Sequence, residues 1–146
     1  MNEEKYLVDN NVLSHLSLAQ RGSKFFRTRC RLPSEVLHEA EGYPDAKALK
    51  DVEYQTSASV LRFLRTVMAT VPDEDTALVN LYANKGAADP MLVACALDAK
   101  QESASLLFGP TWVIVSNDKA VRAKATEFGV EACTREEFAI RTHDNW

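Results

Sequence analysis

The stretch Trp112-Val113-Ile114-Val115-Ser116-Asn117-Asp118 decides the predicted fold of this chain. Its first four residues are all aromatic or β-branched, which predicts a buried strand. The Ser-Asn-Asp that follows ends the strand, and residues of this kind favour the start of a helix. Near the start of the chain, Tyr6-Leu7-Val8 followed by Asp9-Asn10-Asn11 predicts the same transition. Strands that alternate with helices are typical of a parallel sheet covered by helices.

The rest of the chain continues this alternation. Residues 26–32 place arginine at every second position, which predicts a half-buried strand, and residues 130–133 predict a last strand. Residues 43–51 are predicted to be a polar connection, and residues 101–109 a loop or a frayed helix. The predicted fold class is therefore a three-layer α/β/α domain with a central, mainly parallel sheet. Helices are predicted over residues 12–22, 33–42, 60–68, 73–85, 119–128 and 135–141, and from Asp89-Pro90 onward, with Gly86 and Gly129 as C-terminal caps.

Composition and charge narrow the class of protein. The chain has 146 residues, of which 46% are hydrophobic and 26% charged, values that are ordinary for one globular domain and exclude disorder. We therefore expect a single domain over residues 1–146. The 21 acidic residues exceed the 17 lysines and arginines and give a formal net charge of −4. This balance argues against a broadly basic nucleic-acid coat protein, but not against a nuclease whose catalytic acids belong to the excess.

The cysteines and the apolar runs bear on where the protein works. Cys30, Cys95 and Cys133 are odd in number and form no Cys-x-x-Cys pair, which argues against a disulfide framework and against a zinc ribbon. The acidic start of the chain does not resemble a signal peptide. The longest apolar run has seven residues, whereas a membrane span needs about 20. We therefore expect a cytoplasmic protein without a membrane partner.

Three acidic residues share one position relative to the predicted elements. Asp9 follows the first strand, Asp118 follows the most hydrophobic strand, and Asp89 begins the most hydrophobic helix. In open α/β sheets, residues just beyond the carboxyl ends of the strands line the ligand crevice, so these acids can converge. Two carboxylates about 5 Å apart repel by roughly 3 kcal/mol at an effective dielectric constant of 20. A cation would offset this repulsion, and carboxylate oxygens favour Mg²⁺ or Mn²⁺ over zinc.

Helix capping is the simpler interpretation of each acid taken singly. Asp89 precedes Pro90, Asp118 precedes a predicted helix, and Asp9 is placed to cap the first helix. Spacing alone does not decide between three separate caps and one cluster.

Four segments carry a resemblance to a known family. The first resembles a hydrophobic strand followed by Asp-x-Asn-x-Leu, and the second resembles a Pro-x-x-Val-x-x-Glu helix start. The third resembles an Asp at the head of a helix rich in small residues, and the fourth a strand that ends in Thr/Ser-Asn-Asp. In this order they resemble the PIN domain, a metal-dependent ribonuclease fold found in VapC-like toxins. The segments are Tyr6-Leu7-Val8-Asp9-Asn10-Asn11-Val12-Leu13, Leu32-Pro33-Ser34-Glu35-Val36-Leu37-His38-Glu39, Ala88-Asp89-Pro90-Met91-Leu92-Val93-Ala94-Cys95-Ala96 and Val113-Ile114-Val115-Ser116-Asn117-Asp118.

The resemblance implies a set of site residues. Asn11 would orient the first acid by hydrogen bonding, and Ser116 would hold the last acid or a water molecule. On the residues alone, Glu39 and Glu41 flank the same apolar helix stripe, and only the resemblance selects Glu39. The metal-binding acids implied by the resemblance are Asp9, Glu39, Asp89 and Asp118.

The function implied by the resemblance is hydrolysis of RNA phosphodiester bonds with one or two Mg²⁺ or Mn²⁺ ions, which activate water and stabilise charge on the phosphate. A role as the toxin of a toxin–antitoxin pair, an antitoxin partner and a homodimer are further expectations of the resemblance.

Two other functions stay open at this level. One is a non-catalytic binding module with a PIN-like fold and too few acids to hold metal. The other is a haloacid-dehalogenase-type phosphatase, which also starts with a strand and an Asp but needs Asp-x-Asp-x-Thr, where this chain has Asn11.

A basic stretch between Arg21 and Arg31 has two interpretations. It is either a contact for RNA phosphates or an acidic partner, or a solvated strand face that protects a sheet edge.

Overall fold

The structure is a computed structural model that describes residues 3–71 and 88–146, without the side chains of residues 88 and 89. Five strands form one sheet in the order β3-β2-β1-β4-β5, and every neighbouring pair is parallel. Because β2 and β4 lie on opposite sides of β1, the strand order reverses between β1 and β4. The strands are β1 (Glu4–Val8), β2 (Cys30–Pro33), β3 (Glu53–Tyr54), β4 (Thr111–Val115) and β5 (Glu131–Cys133).

Helices connect the strands and cover both faces of the sheet. Alternate residues of β1 belong to different cores: Tyr6 and Val8 pack with Phe26 and Phe138, whereas Leu7 packs with the buried start of α7. This confirms the predicted three-layer α/β/α class. The helices are α1 (Asn10–Leu13), α2 (Leu18–Arg21), α3 (Lys24–Arg29), α4 (Ser34–Glu39), α5 (Ala46–Leu49), α6 (Ala58–Met68), α7 (Ala88–Ala104), α8 (Lys119–Glu127) and α9 (Arg135–Arg141), with a 3₁₀ helix at Lys50–Val52.

The strongest sequence patterns are confirmed. The strands β1, β4 and β5 and the helices α6, α8 and α9 lie where they are predicted, within one or two residues at each end. Gly129 ends α8 with a φ of +72°, a conformation that glycine adopts without steric cost. The predicted helix over residues 73–85 and its cap at Gly86 lie outside the described residues.

The strand predicted over residues 26–32 is wrong in its first half. Residues 24–29 form α3, and only Cys30–Pro33 form a strand. Ser23 starts the helix by accepting a hydrogen bond from the Phe26 amide at 3.1 Å. Phe25 and Phe26 are both buried, which a strand with one buried face does not allow for consecutive residues.

Four other boundaries differ from the prediction. The helix predicted over residues 33–42 ends at Glu39. The helix predicted over residues 12–22 is two helices, since a capping box at Ser17 starts α2. The connection predicted over residues 43–51 contains α5 and most of the 3₁₀ helix, and the two-residue strand β3 that follows has no sequence signal. Helix α7 continues to Ala104 into the segment predicted as a loop or frayed helix.

The basic stretch does not protect a sheet edge, because β2 pairs with β1 on one side and with β3 on the other. Three of its arginines are engaged within the fold. Arg21 pairs with Asp45, Arg29 donates to the Glu4 carbonyl, and Arg31 donates to the carbonyls of residues 27 and 30.

Cys30, Cys95 and Cys133 are buried free thiols. None of the helices in the described part of the chain has the length and hydropathy needed to cross a bilayer.

Candidate active site

The candidate site lies where β1 and β4 end side by side. The two strands pair in register up to Val8 and Val115, so the residues that follow them emerge together. The Asp9 amide still donates to the Val115 carbonyl at 3.1 Å. This position is the switch point of the strand order, where open α/β sheets bind their ligands.

Ser116 joins the two aspartates at this point. Its hydroxyl donates to Asp9 Oδ2 at 2.9 Å and accepts a hydrogen bond from the Asp118 amide at 3.1 Å. Ser116 is fully buried and Asp9 is 9% exposed. The Asn10 amide also donates to Asp9 Oδ1 at 2.7 Å. Asp9 is therefore fixed by two hydrogen bonds, one from each of the segments that follow β1 and β4.

The Asp9 carboxylate lies in an environment that disfavours its charge. Burial raises its pKa, and the nearby charge of Asp118 raises it further. The hydrogen bonds from Ser116 and from the Asn10 amide act in the opposite direction without cancelling the shift. A buried carboxylate with a like-charged neighbour fits a site that a cation completes.

Glu39, at the end of α4, is the third acid at this edge. Partial burial raises its pKa, the charge of Asp9 raises it further, and hydrogen bonding from the Asn10 side chain partly offsets both. The alternative acid, Glu41, lies with its carboxylate 3.8 Å from His38 at an exposed position. The structure therefore brings Glu39 into electrostatic contact with Asp9.

Asn10 has a supporting residue of its own. The Tyr43 hydroxyl donates to Asn10 Oδ1 at 3.1 Å. The Arg21 guanidinium lies 5.1 Å from the centroid of the Tyr43 ring and forms a two-pronged pair with Asp45, with N···O distances of 2.8 and 3.0 Å. Glu39 is thus backed by Asn10, Tyr43 and a largely buried ion pair.

Asn11 does not have the position that the resemblance implies. Its side chain is exposed, and the hydrogen bonds that hold Asp9 come from Ser116 and from the Asn10 amide. The reason is local: Asp9 is the N-cap of the short helix α1, so the first amide of that helix is the nearest donor. The expected orienting role therefore falls to Asn10 and Ser116.

Helix capping is confirmed for two of the acids, which also lie at the same edge of the sheet. Asp9 caps α1, and Asp118 Oδ1 accepts from the Ala120 amide at 2.8 Å as the cap of α8. Capping uses only one oxygen of each carboxylate, so the other oxygen of Asp9 accepts from the Ser116 hydroxyl.

The donor chemistry of the site fits a hard divalent cation. Within residues 3–71 and 90–146, no three His, Cys, Asp or Glu side chains are placed to hold a metal ion together. The backbone of Asp89 lies in the first turn of α7, but its side chain is outside the described part. Mg²⁺ is commonly held by only one or two carboxylates together with water and substrate phosphates. The carboxylates of Asp9 and Asp118 are donors of the kind that Mg²⁺ and Mn²⁺ prefer.

Two residues of this site have no clear sequence signal. Asn10 occupies the unspecified position of the Asp-x-Asn pattern, and Tyr43 lies 33 residues further along the chain in a segment that is predicted to be a polar connection. A tyrosine in such a segment gives no indication of which element it contacts, so only the folded chain identifies the pair.

The comparisons with known proteins agree with this geometry. A family model described as PIN domain matches residues 6–136, a range that contains all four acids. No curated protein matches the chain. The match gives no support to the haloacid-dehalogenase alternative. Because the matched range covers most of its residues, the chain belongs to the PIN domain family.

Proposed function

We propose that this chain is an endoribonuclease that depends on Mg²⁺ or Mn²⁺ and hydrolyses RNA phosphodiester bonds. The observation that carries the proposal is the juxtaposition of Asp9 and Asp118 at the switch point of the sheet, where the Ser116 hydroxyl links the Asp9 carboxylate to the Asp118 backbone amide. Membership of the PIN domain family supports it, since PIN domains are generally nucleases.

Four acids would hold the metal: Asp9, Glu39, Asp89 and Asp118. A bound ion would supply an activated water and would stabilise the charge that builds on the phosphate. Ser116 keeps the Asp9 carboxylate and the Asp118 backbone in fixed relation. Asn10 supports Glu39, and the buried location of Asp9 strengthens its interaction with a cation.

Cleavage of single-stranded RNA in Mg²⁺ tests the proposal. We expect the wild-type chain to cleave the RNA, and Asp9→Asn and Asp89→Asn to lose most of this activity. Glu41→Gln is the matched control, because it removes an exposed acid that lies against His38 instead of Asp9. Equal activity of the wild type and both aspartate variants would contradict the proposal.

The remaining alternative is a non-catalytic binding module. Direct measurement of metal binding distinguishes it from the proposed nuclease. Calorimetric titration with Mn²⁺ should show binding to the wild type and weaker binding to Asp9→Asn. RNA binding without cleavage, combined with no detectable Mn²⁺ binding, would favour the module.

We also propose the finer role implied by the resemblance, a toxin that is restrained by an antitoxin and works as a homodimer. Induced expression in a bacterial host should arrest growth for the wild type and not for Asp9→Asn. Growth that is unaffected by an active, well-expressed wild-type chain would argue against the toxin role.

A further inference from the structure

A groove lies along the side of α9, between this helix and the residues that follow α1. It has a volume of about 370 Å³, within the range of about 300–1,000 Å³ that is usual for small-ligand pockets. We call it the Trp146 groove. The residues that matter for its chemistry are His15, Leu16, Arg135, Glu136, Phe138 and Trp146.

The mouth of the Trp146 groove is tied to the carboxylate site on both sides. On one side, His15 Nδ1 lies 2.8 Å from the carbonyl of Asn11, two residues after Asp9. On the other side, the Arg135 amide donates at 2.7 Å to the side chain of Asn117, which immediately precedes Asp118. The Trp146 groove therefore lies beside the two segments that carry Asp9 and Asp118.

The floor of the groove is apolar and aromatic. Phe138 is buried, Leu16 is half-buried, and Trp146 is 38% exposed. The Trp146 ring is fixed in place, because its Nε1 donates to Thr142 Oγ1 at 3.0 Å and its ring meets Phe25 edge to face at 4.8 Å between centroids. A fixed aromatic ring with accessible surface offers a contact for planar heterocycles.

The rim of the groove is polar but has little net charge. The Arg135 guanidinium lies 3.2 Å from the Glu136 carboxylate, so its charge is largely compensated. His15 and Gln20 add groups that can donate or accept hydrogen bonds. This combination suits the edge of an uncharged base better than a free phosphate, which needs uncompensated positive charge.

We propose that the Trp146 groove is a subsite for one nucleobase of the RNA strand whose neighbouring phosphate lies at the carboxylates. The inference rests on the proposed ribonuclease function. The base stacks on aromatic surface at the floor, and its edge meets His15 and Arg135 at the mouth, a mode of recognition typical of unpaired RNA bases.

Tryptophan fluorescence in EDTA tests binding without cleavage. A Trp112→Phe background leaves Trp146 as the sole tryptophan, and Trp112 lies elsewhere, edge to face with Tyr54 at 5.7 Å. The probes are the four nucleoside monophosphates, with ribose 5-phosphate as the probe that lacks a base. We expect at least one nucleotide to change the Trp146 emission in a saturable manner, and ribose 5-phosphate to have no effect.

Rim variants locate the binding. His15→Ala and Arg135→Ala should each lower the affinity for the nucleotide by about twofold to tenfold, the range expected for loss of one hydrogen bond. Lys47→Ala is the control, because it removes an exposed cation outside the groove. Circular dichroism of each variant checks that the fold is intact.

Three outcomes would overturn the nucleobase subsite: no response to any nucleotide, an equal response to ribose 5-phosphate, or rim variants that bind as the wild type does. The metal-free readout separates this inference from the nuclease proposal. Nucleotide binding by a chain that does not cleave RNA in Mg²⁺ rejects the nuclease alone, whereas cleavage without nucleotide binding rejects the subsite alone.

Discussion

Two aspartates are buried in the part of the chain that the structure describes, and their surroundings differ. Asp98, in α7, is 4% exposed and accepts a hydrogen bond from the Tyr54 hydroxyl at 2.7 Å. The cavity beside it is lined by charges of both signs, including Lys5 and Arg31. Asp9 is 9% exposed and accepts two hydrogen bonds, but the charge that acts on it is the acidic charge of Asp118, and Asp9 in turn is the largest charge that acts on Glu39.

Only one of these features distinguishes a functional carboxylate from a structural one. Burial with satisfied hydrogen bonds describes both residues and therefore does not discriminate between them. The presence of neighbouring like charges does discriminate between them, because placing Asp9, Glu39 and Asp118 near one another destabilises the fold unless a cation offsets their repulsion. Asp98 has the features of a structural acid, and Asp9 those of a ligand.

The largest expected effect is on catalysis. Asp9→Asn should reduce RNA cleavage by about 10²–10³-fold, the loss typical when one group that stabilises transition-state charge is removed. Asp98→Asn keeps an oxygen that can accept from Tyr54, and it should cleave at the wild-type rate. A gel-based cleavage assay with matched protein concentrations measures both, and a comparable loss in Asp98→Asn would remove the distinction between the two acids.

The next largest effect is on stability, at the other aspartate. Tyr54→Phe removes the donor to Asp98 and leaves a buried carboxylate unpaired, which should cost about 1.5–3 kcal/mol in the free energy of unfolding. Urea denaturation gives this value, and Mn²⁺ affinity should not change. A stable Tyr54→Phe variant with altered Mn²⁺ binding would place Asp98 in the metal site instead.

This pair of aspartates also shows how far the sequence can be interpreted. Asp9 and Asp118 are predictable because each follows a strongly hydrophobic strand, and parallel strands end at a common edge. Asp98 is not predictable as a buried acid, since its partner Tyr54 is 44 residues away on a strand of two residues. Short strands and tyrosine contacts of this kind depend on tertiary packing and carry no periodic signal.

The basic stretch between Arg21 and Arg31 also depends on tertiary packing. Alternating arginines indicated a strand, yet Phe25 and Phe26 form part of a helix because a buried aromatic pair and a Ser23 cap outweigh the period of two. The metal-binding role of the acids stays a prediction, and so does a role for Asn11, whose exposed side chain is not among the groups that hold Asp9.

A smaller effect tests the support behind Glu39. Tyr43→Phe removes the hydrogen bond to Asn10 Oδ1 while keeping the ring beside Arg21. We expect Mn²⁺ affinity to fall about tenfold, the lower end of the range for residues that orient metal ligands. Calorimetry measures the affinity, with Tyr54→Phe as the matched loss of a tyrosine hydroxyl away from the site. An unchanged affinity in Tyr43→Phe would show that Asn10 and Glu39 need no support from Tyr43.

The smallest expected effect concerns the ion pair behind Tyr43. Hydrogen bonding from Arg21 lowers the pKa of Asp45 below its usual value of 3.8, so the folded state releases this proton more readily than the unfolded state. The stabilisation is therefore complete above pH 3.8 and is lost as the pH falls through the lowered pKa. The free energy of unfolding of wild type minus Asp45→Asn, from urea titrations, should be about 1 kcal/mol near neutrality and shrink in that acidic window. The raised pKa of Asp9 has the opposite effect on stability, but it is present in both chains and therefore cancels in the difference. If the difference in unfolding free energy did not depend on pH, Arg21 would stabilise the charged and neutral forms of Asp45 equally.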